Sequence, residues 1–210
     1  MSFHSLNHSL AVILAVASFG SCSLAAQDVQ VNSKDNGATN LSNFTTESET
    51  SLARKGSLVV VGYNTSRQAG LVGAGAITSL SGYAYSTNGG LSFVDDPSFV
   101  PASGTFVLQG DPALAFDSAG NLYYGSLMED LSSTCSYIGV SKSISTSPSV
   151  VFGEPVKISG PGSCSGAFED KEFLAVDTMG GSLNGRVYVA WSEFPANGNP
   201  QALLVASTST

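Results

Sequence analysis

The chain has 210 residues, and its 8 basic and 16 acidic side chains make up 11% of it with a formal net charge of −8, against ~25% charged residues in an ordinary soluble domain. A coiled coil, a charge-solvated disordered tail and a basic nucleic-acid binder all need more charge or the opposite sign, so those classes are excluded. An apolar content of 42% with 23 glycines suits a packed core of short strands joined by tight turns.

The first element is an apolar run at residues 10–19, LAVILAVASF, too short for a spanning helix and suited to the core of a signal peptide. Ser23 and Ala25 offer a small-residue cleavage site before Ala26, with the mature chain beginning near Ala26 or Gln27, so residues 1–26 read as a leader and the protein as secreted or periplasmic, with no transmembrane span. A lipid anchor at Cys22 and a buried N-terminal helix are the alternatives. Both histidines, His4 and His8, lie in the leader. The mature chain therefore has no His for a nucleophilic triad or a zinc site, and no metal or other cofactor is expected. Cys135 and Cys164 remain, and in an oxidising compartment an even pair reads as a disulfide, worth ~3.5 kcal/mol by loop closure.

Residues 27–48 are polar and without apolar periodicity, an arm or linker. Three similar segments follow: Glu49-Thr50-Ser51-Leu52-Ala53, Asp111-Pro112-Ala113-Leu114-Ala115-Phe116-Asp117, and Lys171-Glu172-Phe173-Leu174-Ala175-Val176-Asp177. Each is a short strand entered from a polar residue, then a turn, then an apolar run: LVVVGY from Leu58, LYYGSL from Leu122, VYVAW from Val187. The Leu-Ala pairs are spaced 62 and 60 residues apart. An all-strand repeat of this length points to propeller blades.

Within the first period, Ser86-Thr87-Asn88-Gly89-Gly90-Leu91-Ser92-Phe93 fits S-x-[D/N]-x-G-x-[S/T]-[W/F]. In this pattern the Asn side chain bonds nearby backbone, Gly90 tolerates positive φ and Phe93 packs on the sheet. Ser145 to Phe152 keeps the first Ser and the last aromatic, and Glu154 to Ile158 follows as an outer strand.

The motif at Ser86 to Phe93 resembles the Asp box, or bacterial neuraminidase repeat, of sialidase-like β-propellers. The phrases GDPALAFD, DKEFLAVD and GRVYVAW are similar to inner-strand openings of secreted bacterial members. The resemblance covers residues 49–210. It implies an all-β fold of four-stranded antiparallel blades, part of a six-bladed ring with just under three blades present, at about 49–102, 111–160 and 170–210. Such a piece cannot close a ring alone, so it is either part of a longer protein or associates with other partial rings.

The resemblance also implies that the Asp box, Ser86, Asn88, Gly90 and Phe93, is structural and peripheral, and that a ligand pocket lies at the channel mouth. Glu49, Asp111 and Lys171 stand there in register, three residues before each Leu-Ala pair, with Asp170 and Glu172 beside the last. They read either as sites for a glycan or other polar ligand, or as charges that pair with one another to close the blade ends. A sialidase binds its substrate carboxylate with an arginine cluster. This chain has Arg54, Arg67 and Arg186, lacks the family's Arg-Ile-Pro phrase, and offers Arg54 as the one inner-strand candidate. The remaining catalytic groups of a sialidase come from later blades, so this chain alone is expected to be inactive. The implied function is glycoside binding, with hydrolysis open, against a non-catalytic binding or scaffold module. Sequons stand at Asn40, Asn43 and Asn64.

Overall fold

The computed structural model describes residues 28–31, 47–65, 79–95, 106–130, 135–158, 168–195, 198 and 201–208. The leader, Arg67 and Cys164 lie outside them. All regular structure among the described residues is strand, in three antiparallel sheets. No helix among them is long and apolar enough to cross a membrane.

The first sheet is β1 (Glu47–Lys55), β2 (Leu58–Thr65) and β3 (Ser81–Ser86), in that order. The second runs β4 (Phe106–Phe116), β5 (Leu122–Asp130), β6 (Cys135–Ser145), with β7 (Val151–Phe152) and β8 (Val156–Lys157) both on β6. The third is β9 (Phe168–Val176), β10 (Arg186–Phe194) and β11 (Gln201–Thr208), with β10 in the middle.

Among the described residues the expected four strands are met only in the second sheet, where β7 and β8 together make an interrupted fourth strand. Phe152 pairs with Ser143, and Val156 and Lys157 pair with Val140 and Gly139. The irregular step between them spans Gly153 to Pro155, and proline removes a ladder donor there. In the first sheet the only fourth-strand pairing among the described residues is a bridge between Tyr85 and Val94.

The sheets stack face to face in one repeating sense. Alternation along a strand sends successive side chains to opposite faces, so in each first strand one residue faces the sheet before and its neighbour the sheet after. Leu114 of β4 is 8% exposed and packs with Ala53, Val60 and Tyr83 of the first sheet; Leu174 of β9 is 4% exposed and packs with Tyr123 and Ile138 of the second. Leu52, with no sheet before it among the described residues, is 62% exposed. Conversely Ala113 faces the third sheet and is buried, whereas Phe173 at the matching place is 73% exposed. Burying one such Leu contributes about 2 kcal/mol.

Several polar groups between the sheets are matched as well. Ser51 Oγ accepts from the Leu114 amide at 3.1 Å, Tyr124 donates to the Gly82 carbonyl at 3.1 Å, and Ser136 Oγ accepts from the Glu169 amide at 2.7 Å.

Candidate functional site

Each sheet's first strand carries a two-residue bulge at the same place in the repeat. Glu49-Thr50, Asp111-Pro112 and Lys171-Glu172 stand opposite the single residues Tyr63, Ser126 and Trp191 of the neighbouring strand. The first residue of each bulge is left-handed: Glu49 at φ 50°, Asp111 at 55° and Lys171 at 54°. These are the only non-glycine residues with positive φ among those described. That conformation costs roughly 1 kcal/mol for a residue with a Cβ. Its recurrence three times turns three charged side chains to one end of the stack.

There the structure brings Glu49, Asp111 and Lys171 together. Lys171 Nζ donates to Glu49 Oε1 at 2.7 Å and to Asp111 Oδ2 at 2.9 Å. Asn64, on β2, completes the group. Its Nδ2 donates to Glu49 Oε2 at 3.0 Å and Asp111 Oδ1 at 3.3 Å, and its Oδ1 accepts from the Asp111 amide at 2.6 Å. Gly110 makes that approach feasible, since a Cβ there would fall 2.3 Å from Asn64 Oδ1 and its φ is 109°.

The carboxyls differ in their hold on protons. Burial pushes Asp111 up, but hydrogen bonds with Glu49, Lys171, Asp170 and Asn64 outweigh it and hold the group at about 2. Asp170 is raised by burial and by its hydrogen bond with Asp111, although Oδ1 also accepts from the Lys171 amide at 2.9 Å. Asp111 therefore gives up its proton more readily than Asp170. Lys171 is held in its charged form, first by Glu49, then by Asp111, against the desolvation that opposes them.

Glu172 lies behind this group, 7% exposed, with both carboxyl oxygens buried and without a hydrogen-bond partner. Burial raises its affinity for a proton well above that of an ordinary Glu; its own backbone N–H and the Lys171 charge oppose the shift, and the charges of Asp111 and Asp170 add to it. It rests on Gly125 of β5, the place where Pro112 rests on Gly62 in the preceding junction. Trp191, opposite this bulge, is buried with its indole N–H unpartnered too.

Arg54 is not brought to the cluster. It stands at the β1–β2 turn, exposed, with Nε donating to the Gly56 carbonyl at 3.0 Å. Lys55 beside it donates to the Asp117 and Ser118 carbonyls at 2.7 and 2.6 Å.

The turn at Ser86 to Phe93 closes on itself. Ser86 Oγ donates to Asn88 Oδ1 at 2.7 Å and accepts from the Gly90 amide at 2.9 Å, while Asn88 Oδ1 also accepts from the Ser92 amide at 3.0 Å. Gly89 and Gly90 have φ of 77° and 94°, and Phe93 packs against Val61, Tyr63 and Ala84. The weaker copy at Ser145 uses Oγ to bond the Ser147 and Ser149 carbonyls across a cis Ser147–Pro148 bond. Cys135 opens β6 and is buried; its expected partner Cys164 is outside the described residues.

Asn64, Trp191 and the bulges were not singled out from the sequence as parts of a site. The glycine before Asp111 is the one signal in the sequence that could have pointed to a close approach there. Among the described residues no group of His, Cys, Asp and Glu is arranged to hold a metal ion.

No family model matches the chain, and no curated protein matches it. Among solved structures it is similar to an alpha-L-arabinanase of Penicillium chrysogenum, determined in complex with arabinobiose, at a TM-score of 0.42 and 13% identity. The match covers 77% of this chain and 45% of that one, so the chain spans less than half of that protein's length.

Proposed function

We propose that the three sheets are consecutive blades of a β-propeller and that the group at the heads of β1, β4 and β9 is a glycan-binding site. In the complete protein its carboxyls would also cleave the bound glycoside. The observation that carries this reading is the convergence of Glu49, Asp111 and Lys171, one from each repeat, beside Asp170, whose carboxyl holds its proton more tightly than that of Asp111. Glycoside cleavage needs one carboxylate and one carboxylic acid near the scissile bond.

A second reading has its own support. Both carboxylates that Lys171 touches are held in an ion pair with it, which suits a module that binds glycans without cleaving them. The sialidase form of the proposal is the less well supported, because Arg54 faces away from the cluster.

Affinity electrophoresis of the full chain in gels cast with different polysaccharides tests the binding claim. Retardation by at least one polysaccharide, lost in Asp111→Asn, is expected; unretarded migration in every gel would sink it. Release of reducing ends from the retarding polysaccharide by the complete protein then separates the two readings.

The same proposal includes export after cleavage near Ala26 and a Cys135–Cys164 bond. N-terminal sequencing of the mature product tests the first. Thiol titration of the unfolded, unreduced mature protein tests the second, and two free thiols would refute it.

A further inference from the structure

Hydrogen-bond acceptors outnumber donors at the cluster. The Lys171 ammonium gives two of its hydrogens to Glu49 and Asp111, and the Asn64 amide gives both of its hydrogens to the same two carboxylates. Asp170 adds a further carboxyl to the group.

The other cations near the first strands are turned elsewhere, Arg54 to a carbonyl of its own turn and Lys55 to the Asp117 and Ser118 carbonyls. Among the described residues no guanidinium fork faces this end of the stack.

An independent observation marks the place as built for more than packing. Glu172 is buried with both oxygens unpartnered, and Trp191 opposite its bulge is buried with an unpartnered N–H. Proline fills the matching slot in the second sheet, so the fold itself does not require a carboxyl there. A buried polar group left uncompensated by the fold is unusual enough to call for another role.

We infer that this cluster takes neutral, hydroxyl-rich glycans and discriminates against glycans that carry a carboxylate, an inference that rests on the glycan-binding reading above. A sugar hydroxyl donates to Glu49 or Asp111 and accepts from the remaining Lys171 hydrogen. A ligand carboxylate can only accept, and it brings negative charge to a site where one ammonium already serves two carboxylates.

The test is binding of the full chain to an array that pairs neutral oligosaccharides with their sialylated and uronic-acid counterparts, including lactose beside 3′-sialyllactose. Neutral members are expected to bind at least about tenfold more tightly than their partners, a difference of about 1.4 kcal/mol. Raising the salt concentration should narrow the gap by screening the repulsion. Glu49→Gln should narrow it as well, by freeing Lys171 from one partner. Equal or tighter binding of the carboxylated members overturns the inference and leaves the glycan reading standing. A neutral preference untouched by salt and by Glu49→Gln also overturns it, because charge is then not the cause. Binding to no member overturns the glycan reading and this inference together.

Discussion

The junction between the first and second sheets and the junction between the second and third are built on the same frame and filled differently. At the first, Gly62 lies under Leu114, Tyr124 and Pro112 so closely that a Cβ would come within 2.6, 2.9 and 3.0 Å of them. At the second, Gly125 lies under Glu172, and the same Cβ would meet its Cγ at 3.4 Å. One slot is packed with apolar atoms. The other holds a carboxyl that no neighbour satisfies. The first junction is therefore the more tightly packed, and the second buries a carboxyl at a cost to stability.

Four substitutions or conditions would break or sharpen that contrast. The largest effect is expected from Gly62→Ala, which forces the sheets apart and should destabilise the chain by about 2–3 kcal/mol, read by denaturant unfolding. Glu172→Leu should do the opposite. Removing two orphaned oxygens is worth about 1–2 kcal/mol of added stability, while glycan binding falls. A loss of stability in that variant would mean the carboxyl is satisfied after all.

The third contrast lies in pH. Glu172 binds its proton more tightly folded than unfolded, so it favours the folded state fully below its ordinary value of 4.5. That contribution is lost as pH rises from there towards the raised folded value. Asp111 has the reverse sign. Its contribution is present above 3.8 and is lost as pH falls towards about 2. Unfolding curves across pH should show Glu172→Gln flattening the loss at higher pH and Asp111→Asn flattening the loss in acid. The smallest effect belongs to Gly125→Ala, expected within about 0.5 kcal/mol of the parent because ordinary contact is all its Cβ meets; a change as large as that of Gly62→Ala would erase the distinction between the junctions.

Much of the frame was legible in the sequence because its repeat is written in hydrophobic pattern. The Leu-Ala pairs and the apolar runs after them fall on the first and second strands of each sheet. Glu49, Asp111 and Lys171 could be placed in register by counting back from those pairs.

What could not be read was how those residues meet. A left-handed bulge is set by the pairing of two strands rather than by the residue types in one, and Glu and Lys give no sign of positive φ. Asn64 drew notice only as a sequon, yet it ties Glu49 to Asp111 across two sheets. Trp191 read as one more apolar residue, and its unpartnered N–H is visible only in three dimensions. An outer strand of the second sheet is expected at Glu154 to Ile158; Val156 and Lys157 form it, and Val151 and Phe152 add a separate piece that the sequence does not announce.

The most direct test is to measure glycan affinity in two variants side by side, Asp111→Asn at the head of β4 and Asn88→Ala in the turn at Ser86 to Phe93. If the ligand site is where the three first strands converge, Asp111→Asn loses about tenfold or more in affinity, while Asn88→Ala loses about 1 kcal/mol of stability and binds as the parent does. Undiminished binding by Asp111→Asn, or a loss confined to Asn88→Ala, would contradict it.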